Sequence, residues 1–437
     1  MIPSVYSVSD ALTLRVCRTE KFKAGMLSIS AILPIERDKV PLTSLLLSVL
    51  KRGTEKYPTM EAINRRLDYL FGTDIALRNF YRGDCQVIGV SIDFVEESYL
   101  PEGKGLLADA LEIVAQMLFH PLTDEAGLLL PRYVESEKQL QCDAIRSLKN
   151  NPRAYANERF RTFFYENELC GASLYGTEEE IMSVTPEQLT AHWRSLVSNL
   201  ALDCFYVGNQ SSERLCRILS DTLGEELAEG AKRASMPIPT KVIPRAQQVR
   251  RVDETLEVGQ GHLLLGFRTE KSIRDPENYA NVVLNEMLGA SPTSKLFMNV
   301  REKLSLCYHC SSSYNARRGT LTVLCALSGI NRRRAEDEIL HQIEELCQGR
   351  FTDTELEAAK QSLMNTYRQA EDSPTALESI YFGRALMAID DTLEDSRTKI
   401  EAVSREDVVS AARRLSLDTV YFLDGILGEG EDEDEED

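Results

Sequence analysis

The sequence predicts an α+β protein made of two homologous halves, each with a mostly antiparallel sheet flanked by helices. Three observations lead to this prediction. The chain has 437 residues, more than one hydrophobic core usually serves, so two or more domains are expected. Short alternating apolar segments, typical of strands, are interspersed with segments of helical periodicity. Several short sequences also recur in the same order on both sides of the middle of the chain.

The first half begins with a strand, two helices and a second strand. "MLSISAILP" (26–34) alternates as a strand does, whereas "SLLLSVL" (44–50) and "TMEAINRRLDYL" (59–70) have helical patterns. "CQVIGVSIDF" (85–94) alternates again. The second half gives "HLLLGF", "NYANVVLNEML", "SKLFMNVREKL" and "TLTVLCALS" in the same order. Helices segregated from a mostly antiparallel sheet define the α+β class.

The repeat extends through the rest of each half. "SVTPEQL" (183–189) matches "AVSREDV" (402–408), and each precedes a short strand pattern, "CFYVGN" (204–209) or "VYFLDG" (420–425). "LTDE" also matches "FTDT", and "NNPRAYANERF" (150–160) matches "DSPTALESIYF" (372–382). Between the halves, 228–250 is rich in Pro, Ala and charge, which is typical of a linker. We therefore predict domains at 1–227 and 251–427, a linker at 228–250 and an acidic, disordered tail at 428–437.

The charge of the chain is strongly negative. The net charge is −19, and eight acidic residues lie within 429–437, so the rest of the chain carries −19 + 8 = −11. An acidic surface argues against nucleic-acid binding. The tail is typical of a solvated end that aids solubility, and less often of an arm that docks on a basic partner.

Cysteine usage and hydropathy indicate a cytoplasmic protein without membrane segments. The ten cysteines are widely spaced and lack the dense pattern of a secreted disulfide scaffold. The first twenty residues do not read as a signal peptide, and the chain contains no run of 18 uncharged apolar residues.

Local metal-binding patterns are weak. No two of the five histidines are closer than 32 residues, and "CYHC" (307–310) is the one C-x-x-C. If 307–314 is a strand, Cys307 and Cys310 point to opposite faces and do not share a ligand. The sequence thus predicts that this chain holds no metal.

The order strand, apolar helix, Gly53-Thr54, amphipathic helix and hairpin, together with the duplication, resembles the pitrilysin/insulinase family of zinc peptidases over residues 10–425. Family members carry H-x-x-E-H on the helix before the Gly-Thr step. The matching positions here are Ser44, Leu47 and Ser48, and the family's third zinc ligand, a glutamate, falls on Ala144. Neutral hydroxyls are not usual zinc ligands and leucine cannot accept a proton, so the resemblance implies a degenerate zinc site.

A second match lies in "LGASPTSKLFMNVREKLSLCY". Arg301 and Tyr308 fall on a family Arg/Tyr pair that hydrogen-bonds the substrate carbonyl, and both side chains are suitable donors. The helical pattern places Leu296, Phe297, Val300 and Leu304 on the apolar face, with Arg301 off its centre. The preceding segment has one glycine, Gly289, and Pro292, so it lacks the glycine-rich stretch of mitochondrial presequence processors.

The resemblance implies a non-catalytic subunit of a bacterial two-subunit peptidase. Its expected partner is an H-x-x-E-H subunit that supplies the zinc, and the two chains would enclose a peptide substrate. The isolated chain could also form homodimers. Strand 26–34 is the expected sheet edge on which a peptide adds as an extra strand. The alternative is a structural or peptide-binding assembly protein without a role in hydrolysis, and an Arg301–Tyr308 pair is what distinguishes the two.

Overall fold

A computed structural model describes residues 2–100, 105–228, 231–232, 238 and 240–425. They form two compact units. The first comprises the described residues within Met1–Arg146, Ala172–Pro239 and Ala370–Asp390, and the second comprises those within Ser147–Gly171, Thr240–Gln369 and Asp391–Asp437. Within the predicted linker, the described residues before Arg250 form neither helix nor strand. The predicted acidic tail and the last two residues of the predicted second domain lie outside the described residues.

In the described residues, the sheet of the first unit has six strands in the order β1-β2-β6-β3-β5-β4. Strands β2 and β6 are parallel and the other neighbours are antiparallel. The strands are β1 (Ser4–Ser7), β2 (Leu12–Arg18), β3 (Ala24–Pro34), β4 (Asp74–Arg82), β5 (Cys85–Val95) and β6 (Leu202–Gly208).

The described part of the second unit has five strands in the order β7-β11-β8-β10-β9, which corresponds to β2-β6-β3-β5-β4 of the first. Again one pair, β7 and β11, is parallel and the rest are antiparallel. The strands are β7 (Arg250–Leu256), β8 (Gly261–Arg268), β9 (His309–Asn315), β10 (Thr320–Leu327) and β11 (Ser416–Gly425). The α+β class and the two homologous halves predicted from the sequence are confirmed.

Helices pack on both sheets and bury their apolar faces there. In the first half they are α1 (Val40–Leu50), α2 (Met60–Tyr69), α3 (Leu106–Phe119), α4 (Pro131–Ser147), α5 (Pro152–Phe164), α6 (Glu178–Ser183), α7 (Pro186–Ser198) and α8 (Ser212–Leu219). In the second half they are α9 (Asn278–Asn285), α10 (Arg332–Cys347), α11 (Asp353–Ala370), α12 (Pro374–Ala385), α13 (Leu393–Glu401) and α14 (Arg405–Arg414).

The equivalent helices α5 and α12 are exchanged between the units. Helix α5 comes from the first half of the sequence but packs on β8 and β11, whereas α12 comes from the second half and packs on β3 and β6. Both start with the same chemistry, because the side chains of Asn151 and Ser373 accept a hydrogen bond from the backbone N–H three residues later and a proline follows each. Gly266 on β8 permits the close approach of α5, since a Cβ there would lie 2.7 Å from the ring of Phe164.

Three details of the sequence reading are wrong. Strand 26–34 is not a sheet edge, because β3 pairs with β5 on one side and β6 on the other. The strand predicted at 307–314 begins only at His309, so Cys307 precedes it. Leu304 is 38% exposed instead of facing the core, and Leu306 is buried there instead.

In the part of the chain that the structure describes, no helix combines the length and apolar character needed to cross a membrane.

Candidate functional site

The first candidate site lies on α1, where the sequence places the degenerate zinc motif. Pro41 stands in the first turn, where its fixed φ suits a helix and its missing N–H is not needed. The helix runs on without interruption to Leu50. Ser44 and Ser48 are one turn apart and therefore share a face of the helix, as two zinc ligands would.

Ser44 is buried and its hydroxyl is engaged by the protein itself. It accepts a hydrogen bond from the Asn79 side chain on β4 at 2.6 Å and donates to the carbonyl oxygen of Leu174. The Val40 carbonyl one turn earlier lies at 3.2 Å. Gln86 on β5 donates in turn to the Asn79 amide oxygen at 2.8 Å, which fixes the orientation of that amide. This network satisfies the polar atoms at the first motif position without a metal ion.

Leu47 occupies the position of the family's general base and is only 5% exposed. It belongs to the hydrophobic core of the first unit and lines a small apolar cavity of about 30 Å³ together with Ile29 and Val90. Ser48 is half-buried on the same helix. An apolar environment of this kind penalises a carboxylate strongly.

Ala144 is exposed on α4, and its methyl group cannot bind a metal. One turn earlier, Gln141 donates to the carbonyl oxygen of Tyr175 at 2.8 Å, adjacent to the Leu174 carbonyl that Ser44 contacts. Helices α1 and α4 thus meet through the backbone of residues 174–175. The arrangement at 44, 47, 48 and 144 does not fit a zinc ion of the H-x-x-E-H type.

A carboxylate does lie near this region, on α4, but it is neutralised by an arginine. Glu137 is buried, and its carboxylate lies 2.9 Å from the guanidinium of Arg52. Burial raises the pKa of Glu137, and the charge of Arg52 opposes that shift. The carboxylate is therefore already paired with a positive charge and does not require a metal ion.

The second candidate site is formed around Arg301 in the second unit. Residues 296–303 form a π-helical segment that is anchored by the buried side chains of Leu296 and Val300. Arg301 points away from this core, and its guanidinium carbon lies 4.7 Å from the ring centroid of Phe297. Its Nε atom is 3.6 Å from Glu302, an exposed ion pair that constrains the side chain little.

Tyr308 immediately precedes β9 and is 70% exposed. Its backbone N–H donates to the Ala326 carbonyl oxygen at 2.9 Å, so β10 holds the backbone while the phenol faces solvent. Arg301 and Tyr308 line the same open pocket of about 400 Å³, together with Ser328 and Asn331. Their side chains could both donate hydrogen bonds to a carbonyl oxygen bound in this pocket.

Three cysteines lie beside this pocket. The sulfur atoms of Cys307, Cys310 and Cys325 are all within 4.8 Å of one another. Hydrogen bonds from the other two thiols lower the pKa of Cys307 to about 4, whereas the pKa values of Cys310 and Cys325 are raised. The prediction that Cys307 and Cys310 cannot share a ligand is therefore wrong, because Cys307 lies in the irregular segment before the strand.

Gly289, the one glycine of the segment before Arg301, has a structural role. A Cβ at this position would lie 2.6 Å from the backbone nitrogen of Ser312 on β9. The residue is buried, and its lack of a side chain permits close packing of the segment on the sheet.

Sequence reasoning missed several residues that shape these sites. Asn79, Gln86 and Gln141 reach the α1 region through strand pairing and helix packing that no local pattern reveals. Cys325 joins the C-x-x-C pair because β10 lies beside β9, with Cys325 directly opposite Cys310. A strand-pairing prediction for 309–327 would have found it.

Comparisons with known proteins agree with this fold. Residues 183–363, which include Arg301 and Tyr308, match the family model described as "Peptidase M16 inactive domain". The chain is 28% identical to the probable inactive metalloprotease YmfF of Bacillus subtilis over 97% of this chain and 98% of that protein. A conserved protein of Enterococcus faecalis has a similar structure, with a TM-score of 0.87 and 24% identity over 98% and 99% of the two chains. A structure from Pseudomonas fluorescens, described as a peptidase M16 inactive domain, gives a TM-score of 0.77 at 17% identity over 97% and 98%.

Proposed function

We propose that the chain, which matches the peptidase M16 inactive-domain model over residues 183–363 and is 28% identical to a probable inactive metalloprotease, acts as the non-catalytic subunit of a two-chain peptidase. In this proposal a second M16 chain that carries H-x-x-E-H supplies the zinc and the general base. This chain contributes peptide binding and the two hydrogen-bond donors Arg301 and Tyr308.

The observation that carries the proposal is the contrast between the two candidate sites. At the four motif positions, the hydroxyl of Ser44 is hydrogen-bonded within the protein, Leu47 lies in the core, Ser48 is half-buried and Ala144 is exposed, and none of them is a usual zinc ligand. Arg301 and Tyr308, by contrast, keep exposed donor groups in one open pocket. A protein used only for assembly has no evident need for an arginine and a tyrosine arranged in this way.

The proposed chemistry at the second site is electrostatic. As water adds to a scissile amide in the partner's active site, negative charge develops on the carbonyl oxygen. A guanidinium and a phenol that donate hydrogen bonds to this oxygen stabilise the transition state more than the ground state. Loss of one such donor typically reduces kcat by about 10²–10³-fold.

We assign the edge strand β4 of the first unit as the place where a peptide adds to the sheet. Within the described residues β4 pairs with β5 alone, and its Asn79 contacts Ser44 at the degenerate motif. Main-chain hydrogen bonds to such an edge bind peptides with little dependence on sequence. The degenerate motif thus remains next to a surface suited to substrate, although it has lost its catalytic groups.

The test uses this chain mixed with an H-x-x-E-H relative from the same genome and a fluorogenic peptide library. The isolated chain is expected to be inert, and the mixture is expected to hydrolyse peptides. Arg301→Ala and Tyr308→Phe should each lower kcat of the mixture by at least tenfold while leaving complex formation unchanged.

The controls are Arg334→Ala, at an exposed arginine on α10, and Tyr69→Phe, whose tyrosine is 71% exposed and so matches Tyr308. Both should keep full activity. Full activity of Arg301→Ala and Tyr308→Phe would reject the donor role and favour the assembly role. Peptide hydrolysis by the isolated chain would reject the proposal altogether.

A further inference from the structure

The cluster of three thiols beside the Arg301–Tyr308 pocket has a geometry that the proposed peptidase role does not use. Cys310 on β9 and Cys325 on β10 are directly opposite in the antiparallel pair, so their side chains lie on the same face of the sheet. Cys307 reaches them from the segment before β9. All three sulfur atoms lie within 4.8 Å of one another, and no disulfide joins any of the three.

This spacing is close to that required around one metal ion. With Zn–S bonds of about 2.3 Å, the sulfur atoms of a tetrahedral site lie roughly 3.8 Å apart. Small side-chain rotations would therefore bring the three sulfurs into contact with a single ion. Thiolates are soft ligands and select Zn²⁺ or Cu⁺ over Mg²⁺ and Ca²⁺.

The surroundings define a site with three protein ligands and one open position. Cys310 is 3% exposed and Cys325 is fully buried, whereas Cys307 is half-buried and lines the pocket that also contains Arg301 and Tyr308. Across the described ranges, the group of three or more metal-binding side chains contains these cysteines and no fourth His, Cys, Asp or Glu. A fourth ligand would therefore come from solvent on the pocket side.

We propose that Cys307, Cys310 and Cys325 bind one thiophilic metal ion, for which Zn²⁺ is the probe, and that this ion fixes the segment 303–308 against β9 and β10. Each cysteine binds as a thiolate, and its proton passes to the solvent.

The segment that the ion would hold is irregular and carries the pocket. Ser305 has a positive φ of 48°, an uncommon conformation for a residue other than glycine. The backbone is tied down by the hydrogen bond from the Leu306 N–H to the Val300 carbonyl oxygen at 3.0 Å and by that from Tyr308 to Ala326. A metal at Cys307 would add a third attachment directly beside Tyr308, and would thereby position the donor pair.

This proposal departs from the sequence-based expectation of a metal-free chain. That expectation considered the motif positions on α1 and α4 and placed Cys307 and Cys310 on opposite faces of a strand. The thiol site also requires no partner chain, so it can fail while the proposed peptidase role holds, and the reverse is equally true.

The experiment uses the full chain alone, purified in a reducing buffer free of chelators. Metal content is measured by mass spectrometry, and the metal-depleted protein is titrated with Zn²⁺ and with Co²⁺. We expect one ion per chain and, with Co²⁺, the near-ultraviolet charge-transfer absorption of a thiolate complex. Cys310→Ser and Cys325→Ser should abolish this absorption, and Cys307→Ser should weaken binding by at least tenfold.

The matched control is Cys347→Ser, since Cys347 is a half-buried free cysteine in the same unit but outside the cluster. It should bind metal like the unmodified chain. Because serine in the sheet could impair folding, a second measurement uses the unmodified protein: Zn²⁺ should slow amide hydrogen exchange in residues 303–310 and leave exchange in α1 unchanged.

The proposal is overturned if the unmodified chain takes up no Zn²⁺ and gives no thiolate absorption with Co²⁺. It is also overturned if Cys347→Ser loses binding as Cys310→Ser does, since that would indicate nonspecific thiol chemistry. A Cys307–Cys310 disulfide in the freshly extracted protein would likewise reject a resident metal and assign the cluster to redox chemistry.

Discussion

At the residue scale, Leu47 shows why the degenerate motif is not simply a zinc site with its ligands removed. The side chain is part of the hydrophobic core, while the neighbouring Ser44 is held by Asn79 and the Leu174 carbonyl. Restoring histidines and a glutamate would therefore require the core and this network to rearrange together.

Leu47→Glu provides the test at this position. A carboxylate placed here would be buried without a partner, so we expect the free energy of unfolding to fall by about 3–5 kcal/mol. Ala144→Glu is the matched control, because Ala144 is the exposed position of the third ligand and should change stability by less than about 0.5 kcal/mol. Urea denaturation followed by circular dichroism measures both. A cost below about 1 kcal/mol for Leu47→Glu would show that the site still accommodates the family's charged group.

At the element scale, the fold was largely predictable, and the exchange of α5 and α12 was not. Both helices and their repeat relation follow from "NNPRAYANERF" and "DSPTALESIYF", since the caps and the proline are local signals. Which sheet each helix packs on depends on contacts between residues far apart in sequence. The same limit explains two wrong predictions. Strand β3 was expected at a sheet edge but has a neighbour on each side, and Cys307 was expected within a strand but precedes β9.

Helix α12 is held on the first sheet by a buried ion pair. Glu378 is 2% exposed, accepts a hydrogen bond from Ser28 on β3 at 2.9 Å and lies 2.7 Å from Arg78 on β4. Glu378→Ala leaves the guanidinium of Arg78 buried without its partner, so we expect a loss of about 3–5 kcal/mol in unfolding free energy. The double variant Arg78→Met, Glu378→Met should recover much of this loss, since both charges are then removed.

Urea denaturation measures Glu378→Ala, and a double-mutant cycle compares the single variants Arg78→Met and Glu378→Met with the double variant. Glu394→Ala serves as control, because the side chain of this glutamate is 71% exposed and pairs with Arg397 three residues away on the same helix. The control should change stability by less than about 1 kcal/mol. Equal stability of Glu378→Ala and the unmodified chain would show that the ion pair contributes nothing to the attachment of α12.

At the scale of the whole molecule, the argument for the proposed two-chain role rests on the difference between the two units. The strand order of the second unit matches β2-β6-β3-β5-β4 of the first, yet each unit carries a different candidate site: the degenerate motif with its hydrogen-bonded Ser44 on α1 in the first, and the exposed donors Arg301 and Tyr308 in the second. The proposed two-chain peptidase needs both a zinc centre and a donor pair. Under the proposed function, this chain supplies only the donor pair, and a second chain supplies the zinc centre.

This reasoning predicts a complex of defined composition. Mixed with its H-x-x-E-H relative, the chain should form a one-to-one complex, measured by light scattering after size exclusion.

The net charge of −19 includes the acidic residues 429–437, whose deletion separates two interpretations of the tail. If the tail is solvated, its removal should leave the dissociation constant unchanged within about twofold at 0.15 M salt. If the tail docks on a basic partner, its removal should weaken complex formation and make the dissociation constant much less dependent on salt. The reason is that salt screens exposed charges over about 8 Å at this ionic strength. An isolated chain that stays apart from every H-x-x-E-H relative in its genome would contradict the two-chain assembly directly.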